Sequence, residues 1–199
     1  MDRLKRLFVG GSLGNEQLTA VVAALLLLLL AIEGATLLNV SSLLTVHAFV
    51  GMLLIPIVAL KAASTAWRFM CYYNRGEEYV RRGPPHIVLR ALVAPVLVLS
   101  TLVVFGTGVA LLVRDQTHGT IVGLHKASFL VWVGAFGLHV LWHAPRMLSI
   151  LRERIPGTPL RVAVVAASVV AGGVLATATL PQADHLQDRA SGHIGLDAR

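Results

Sequence analysis

The stretch that decides the fold is residues 125–139, HKASFLVWVGAFGLH, in which a mostly apolar segment separates His125 from His139. On an α-helix, a spacing of fourteen residues places two side chains about 21 Å apart along the axis and about 40° apart around it. Both histidines therefore lie on one helix face, near opposite ends of a segment apolar enough to lie in a membrane. Placing an ionisable residue inside a bilayer costs free energy, and such residues mark candidate functional sites. The helix face that carries His125 and His139 is therefore a candidate functional site.

The composition is that of an integral membrane protein. Of the 199 residues, 56% are hydrophobic and only 14% are charged, against roughly 25% in soluble domains. Five apolar stretches are long enough to cross a hydrocarbon core of about 30 Å, at 18–38, 43–66, 87–113, 121–142 and 160–180. We predict an all-α integral membrane protein with five transmembrane helices, of which the first four, within 18–144, form a bundle. The single cysteine excludes both an intrachain disulfide and a cysteine cluster for metal.

The basic charge of the chain indicates its topology. The net charge of +7 collects in segment 1–17, in the loop after the second apolar stretch and in loop 145–159, whereas the other two connections carry few basic residues. Basic loops stay on the cytoplasmic side. We therefore predict a cell-membrane protein with a cytoplasmic N-terminus and an external, polar and mobile tail at 181–199. This distribution accounts for the charge without a nucleic-acid partner.

A histidine on the second predicted helix lies at the same depth as His125. His47 and His125 each lie about four residues into their predicted helices, and both helices start on the outer side. Two neutral imidazoles that face each other can ligate a haem iron from both sides. Gly51, one turn below His47, leaves room for a flat macrocycle because it has no side chain. We predict haem b at this pair; a different metal or proton role, and core histidines bonded to a serine or a carbonyl, stay as alternatives.

The sequence offers a less complete set of ligands for a second, inner haem. His139 lies near the inner leaflet, and His86, at the cytoplasmic start of the third predicted helix, is at the right depth to be its partner. Lys61 stands fourteen residues after His47, where a symmetrical two-haem bundle would place a histidine. Its long side chain is expected to reach the cytoplasmic headgroups or to pair with a haem propionate. His143, four residues after His139, forms with it a weak chelating pair for another metal.

Further polar and aromatic residues give minor predictions. Glu33 is the one carboxylate inside the first apolar stretch, and we expect an ion pair with Lys126 or Arg114 rather than a proton relay at a quinol pocket. The turn at residues 39–42, NVSS, predicts an N-cap for the second helix. Trp132 and Phe136 share the face of the two histidines, as core packing or as a conduit for electrons.

The histidine pattern resembles that of the bacterial membrane-bound b-type cytochromes, which include the cytochrome subunits of nickel–iron hydrogenases and formate dehydrogenases. Members share a four-helix haem bundle with two histidines fourteen apart on a late helix, as His125 and His139 are here, and His47 looks like the family's helix-two ligand for the outer haem. The resemblance covers residues 18–144. The family usually has an inner-haem histidine near the cytoplasmic end of helix one, whereas residues 14–18 here read GNEQL.

The resemblance implies one-electron transfer between the quinone pool and a partner redox protein, by a lipid-embedded component of an oxidoreductase rather than a stand-alone enzyme. One haem is expected, and a second stays open. Two other hypotheses remain. One is a membrane metal-handling or proton-relay protein that uses His139, His143 and His86, and the other is a non-catalytic scaffold or assembly subunit.

Overall fold

The structure, a computed structural model, describes residues 11–75, 77–80, 89–153 and 158–197. Within these ranges the chain is helical, without a strand. Five helices are long and apolar enough to span a membrane, which confirms the predicted all-α integral membrane fold. They are α1 (Gly11–Thr36), α2 (Leu44–Tyr73), α3 (Ala94–Arg114), α4 (Thr120–Leu151) and α5 (Thr158–Ala178), and a polar helix, α6 (Leu180–Asp197), follows them.

The outer surfaces of the five long helices are apolar. Leu102, Leu130, Leu141 and Val170 are 65–77% exposed, and many other large aliphatic side chains are exposed with them. A contiguous apolar surface of this extent marks a surface that another apolar phase covers. In a bilayer that phase is lipid, so these side chains need no protein partner.

The first four helices close a ring. Helix α1 packs on α2 and α4, α3 packs on α4, and a smaller contact joins α3 to α2. The fifth helix, α5, packs extensively against α2 and therefore belongs to the same packed unit. Between α1 and α2 the core consists of buried aliphatic residues, namely Val22, Leu26, Val50, Leu54 and Ile57. This ring sets the lateral positions of every side chain on the inner faces of α2 and α4.

Helices α5 and α2 approach each other most closely at Gly172. A Cβ atom built at this position would overlap the backbone carbonyl oxygen of Leu53, whereas one at Gly173 would meet nothing within 4 Å. Small residues let membrane helices bring their backbones together, and van der Waals packing then drives association. The absence of a side chain at Gly172 is therefore a condition for the observed contact.

Three helices, α1, α2 and α4, extend well beyond the predicted apolar stretches. Helix α4 continues through Pro145 to Leu151, although the sequence predicts a loop from residue 145. Its final turns meet the first turns of α1, because the Arg146 guanidinium bonds to the Glu16 carboxylate at 2.5 Å and the Gln17 amide donates to the Glu153 carbonyl at 3.0 Å. Polar side chains that pair across helices let both helices persist where hydropathy alone ends them.

The polar tail forms a helix that packs on the bundle. Residues 180–197 form α6, whose Ala183 and Leu186 are buried in one cluster with Met52, Leu112 and Ala176. Arg189 also bonds to Asp115 at 2.7 Å, at the end of α3. Two apolar positions and one ion pair therefore dock an otherwise polar helix onto the bundle.

Helix α6 also provides the cap of α2. The Gln187 Oε1 atom accepts from the backbone N–H groups of Leu44 at 2.7 Å and Thr45 at 3.2 Å, and its amide donates to the Ser41 carbonyl at 2.5 Å. The predicted cap from residues 39–42 is wrong, since Leu43 occupies the cap position without a side-chain bond. The first N–H groups of a helix need external acceptors, and here a side chain far along the chain provides one.

We expect Gly172→Ala to lower the free energy of unfolding by about 1–3 kcal/mol, since the new methyl group would displace a backbone carbonyl. Gly173→Ala is the matched control and should be neutral or slightly stabilising, because alanine favours a helix more than glycine does. Unfolding in mixed micelles measures both values, and equal destabilisation by the two variants would contradict the close approach of α5 and α2.

We expect Gln187→Ala to cost about 0.5–2 kcal/mol, the range for loss of a helix cap. Hydrogen exchange at the Leu44 and Thr45 amides should accelerate, because water replaces the lost acceptor. Gln182→Ala, at an exposed position of the same helix, is the control. Unchanged exchange at both amides in Gln187→Ala would show that the cap comes from elsewhere.

Candidate functional site

Two histidine side chains meet between α2 and α4. The ring centroids of His47 and His125 lie 6.4 Å apart, with an angle of 87° between the ring planes. Both residues lie in the first two turns of their helices and are half-buried. The structure thus brings together the two residues that the sequence pairs at one depth.

The His47 ring is held through its Nδ1 atom. This atom lies 3.0 Å from Glu33 Oε1 and 3.0 Å from Thr36 Oγ1, both on α1. The Thr36 hydroxyl already donates to the Glu33 backbone carbonyl at 2.6 Å, so its oxygen is free to accept. A carboxylate only accepts, and the proton of the ring therefore resides on Nδ1. Glu33 bonds to His47, rather than to Lys126 or Arg114 as the sequence suggests.

The His125 ring is held in the same way by α3. Its Nδ1 atom lies 3.1 Å from the Val104 carbonyl oxygen and 3.0 Å from Thr107 Oγ1. The Thr107 hydroxyl donates to the Val103 carbonyl at 2.6 Å. A carbonyl oxygen accepts only, so Nδ1 of His125 carries the proton as well.

Both imidazoles consequently keep an unprotonated Nε2 atom. The bond at one ring nitrogen decides which tautomer a neutral histidine adopts, and histidines that bind a metal almost always donate their other N–H to a carboxylate, carbonyl or water. Within the described ranges, neither Nε2 has a hydrogen-bond partner. Each ring therefore has one nitrogen lone pair that a metal can use, and the Nδ1 bonds restrain the orientation of each ring.

The separation of the rings fits a metal between them. Metal–nitrogen bonds to imidazole are about 2 Å long, and when the metal and both nitrogens lie on the line between the ring centres, the two centroids are about 6.3 Å apart. The observed 6.4 Å matches this value. Two neutral imidazoles are also one of the axial ligand sets that proteins use for haem iron, so the donor set fits a b-type haem.

Small residues line the pair. A Cβ atom at Gly108 would lie 3.3 Å from His125 Cε1, and one at Gly51 would lie 3.6 Å from Glu33 Oε1. The buried Ser128, one turn beyond His125, donates its hydroxyl to the His125 carbonyl at 3.0 Å. Glycine at residue 108 therefore lets the His125 ring lie close to the backbone of α3, and Gly51 lies next to the Glu33 carboxylate.

Around His139, called the inner level below, the histidines are arranged differently from His47 and His125. His139 stacks on His143 of the same helix, with ring centroids 4.3 Å apart and an interplanar angle of 22°, and His143 Nδ1 lies 3.0 Å from the His139 carbonyl oxygen. Stacked rings do not direct their nitrogens at one point. No cluster of three or more metal-ligating side chains occurs in the described part of the chain, and His86 lies outside it.

Lys61 turns towards the interior rather than to the headgroups. Its Nζ atom donates to the Thr19 backbone carbonyl on α1 at 3.0 Å, and it is near enough to His139 for an electrostatic interaction. An ammonium group occupies the position where a symmetrical two-haem bundle needs an imidazole. Among the described residues, no histidine of another helix faces His139.

An aromatic row follows the same face of α4 between the two levels. Trp132 stacks on Phe136, with centroids 4.5 Å apart, and lies parallel to Phe129 at 6.3 Å. Its indole N–H donates to Thr101 Oγ1 at 2.9 Å, which fixes the ring. The row joins α4 to α3 and extends from the His125 level towards His139.

Sequence reasoning missed the groups that orient the two rings. Val104 takes part only through its backbone carbonyl, which has no sequence signature. Thr36 and Thr107 read as ordinary membrane-helix residues, although each lies close in sequence to a residue of interest, Glu33 and Gly108 respectively. Such residues could have been found by a search for hydroxyl side chains that lie at the depth of a buried histidine and close in sequence to a polar residue or a glycine.

A scan against protein-family models finds no match, and searches of the curated proteins and of the solved structures likewise find none. Fold and site together define a class: a multi-pass, all-α membrane protein in which two oriented imidazoles face each other between helices.

Proposed function

We propose that this chain is a b-type membrane cytochrome that holds one haem between His47 and His125 and carries single electrons in the membrane. The observation that carries the proposal is the pair of facing rings, 6.4 Å apart, each with its Nδ1 engaged and its Nε2 available. A haem bound there would supply one-electron exchange, while the protein sets its position and potential.

The residues around the pair suit electron transfer without substrate chemistry. His47 and His125 would both hold the haem, which would supply one-electron exchange. Their bonds to α1 and α3 restrain each ring, and the same ligand set then serves both oxidation states. This arrangement supports an electron-transfer component of an oxidoreductase better than a stand-alone enzyme.

The partners belong to the proposal too. The likeness to the bacterial b-type cytochromes of hydrogenases and formate dehydrogenases implies exchange between quinones and a partner redox protein. The arginine-rich segments at 1–17, 68–82 and 145–161 support a cell-membrane location with the N-terminus in the cytoplasm. The haem held by His47 and His125 would then lie in the outer half of the bilayer, on the side of α6.

The contacts of Lys61 and His139 at the inner level support one haem rather than two. Lys61 is directed at the Thr19 carbonyl, and His139 stacks on His143 of its own helix. In the described ranges the inner level therefore lacks the facing imidazoles that characterise the outer one. His139 keeps a packing and electrostatic role in this proposal.

The optical spectrum of the purified protein tests the proposal. We expect sharp haem α and Soret bands in the reduced-minus-oxidised spectrum and one haem per chain in the pyridine haemochrome assay. His47→Ala and His125→Ala should each abolish this haem, because each removes one axial ligand. The matched control, His139→Ala, removes a histidine from the same apolar helix as His125 and should keep the haem.

Three results would contradict the cytochrome. Full haem content in His47→Ala would exclude the outer pair as the site. Bound zinc or copper without haem bands in the wild type would favour a metal-handling protein. Neither haem nor metal would favour a scaffold or assembly subunit.

A further inference from the structure

We infer that Glu33 is a positioning residue for the haem: its carboxylate holds the His47 imidazole and lowers the midpoint potential of the iron that His47 ligates. The inference rests on the proposed function, and it assigns a role to a residue that is not itself a ligand.

The contact between Glu33 and His47 is short and shielded. Glu33 Oε1 lies 3.0 Å from His47 Nδ1, and the two side chains are only 15% and 20% exposed. Hydrogen bonds to an ionised acceptor are roughly twice as strong as neutral ones. The low exposure of both side chains limits the competition of water for either group.

The carboxylate has no comparable second partner. Glu33 Oε2 is buried without a hydrogen bond among the described residues. A buried polar atom without a partner is costly, so a carboxylate at this position is not explained by stability alone. Its one charge-assisted contact is directed at the nitrogen that controls the ligand.

The local backbone and side chains keep the carboxylate in place. Thr36, one turn beyond Glu33 on α1, donates to the Glu33 carbonyl and shares the His47 Nδ1 proton. The Glu33 carboxylate also lies against α2 at Gly51, where a Cβ atom would be in ordinary van der Waals contact with Oε1 at 3.6 Å. Contacts with Thr36 on α1 and with Gly51 on α2 thus accompany the hydrogen bond.

The opposite ligand supplies an internal comparison. His125 Nδ1 has bonds of nearly the same length, 3.0 and 3.1 Å, but to a hydroxyl and a backbone carbonyl, which are neutral. The two imidazoles therefore differ in the charge of their acceptors rather than in geometry. A carboxylate partner raises the basicity of a metal-bound imidazole, and a more basic axial ligand favours the oxidised iron.

Redox titration of the purified full-length protein tests this inference. We expect Glu33→Gln, which keeps the shape but removes the charge, to retain one haem and to raise its midpoint potential. The ferrous-to-ferric ratio at a fixed ambient potential should rise at least about tenfold, which equals about 59 mV for a one-electron couple. Glu33→Leu, which removes the acceptor altogether, should raise the potential further and speed the transfer of haem to apomyoglobin.

Asp115→Asn is the matched control. Asp115 is also a carboxylate at the outer end of the bundle, but its partner is Arg189 at 2.7 Å and not a haem ligand. Loss of its charge should leave the midpoint potential within the error of the wild type. An equal shift in both variants would reduce the role of Glu33 to general electrostatics and overturn the inference.

The other outcomes separate this inference from the proposed function. A wild-type potential in haem-loaded Glu33→Gln overturns the role of Glu33 and leaves the cytochrome standing, whereas a haem-free wild type overturns both. Should the variants not fold, nitrogen NMR of the reduced wild type decides, with ¹⁵N-histidine labelling. Different Nδ1 shifts for the two ligands support the inference, and equal shifts overturn it.

Discussion

The hydrogen bonds at the two Nδ1 atoms are the constraint on which the site depends. Without them an imidazole in an apolar bundle could rotate or adopt either tautomer, and its Nε2 could carry the proton. The Val104 carbonyl and the Glu33 carboxylate remove that freedom, because each accepts and cannot donate. The rings of His47 and His125 then lie 6.4 Å apart with restrained orientations and with Nδ1 engaged, and an engaged Nδ1 is typical of histidines that bind a metal through Nε2.

The rest of the fold secures the helices that carry these rings. Helix α2 holds His47 in its first turn, and that turn is capped by Gln187 from α6. Helix α6 is tied in turn to the end of α3 by the Arg189–Asp115 ion pair, and α3 supplies the acceptors for His125. The end of the bundle that carries His47 and His125 is therefore cross-linked by polar contacts, whereas the middle of each helix relies on aliphatic packing and lipid.

Hydropathy was sufficient to predict the five spans, because a membrane core demands long apolar segments whatever their partners are. The helix ends were not predictable in this way. Helix α4 runs past Pro145 because Glu16 and Gln17 of α1 satisfy its polar end, and a pairing between helices leaves no periodic signal. Between residues 180 and 192, the part of α6 whose side-chain burial is described, the buried apolar positions are Ala183 and Leu186, too few to reveal a docked helix in the sequence.

The same distinction between what the sequence predicts and what it does not applies to the candidate site. Depth along each helix follows from residue counting, and it paired His47 with His125 correctly in position. Distances between helices do not follow from counting, so the partner of Glu33 was assigned to Lys126 or Arg114 when the nearer group was a histidine. The stacked His139 and His143, and the contact of Lys61 with Thr19, likewise depend on side-chain rotation that spacing cannot supply.

Electron paramagnetic resonance of the oxidised, frozen protein tests the central claim most directly, because the signal of a low-spin ferric haem reports the angle between its two axial ring planes. Ring planes at 87° predict the strongly anisotropic low-spin signal of perpendicular imidazoles. A high-spin signal, which indicates a missing axial ligand, or the rhombic low-spin signal of parallel rings would contradict the geometry of residues 47 and 125 described here.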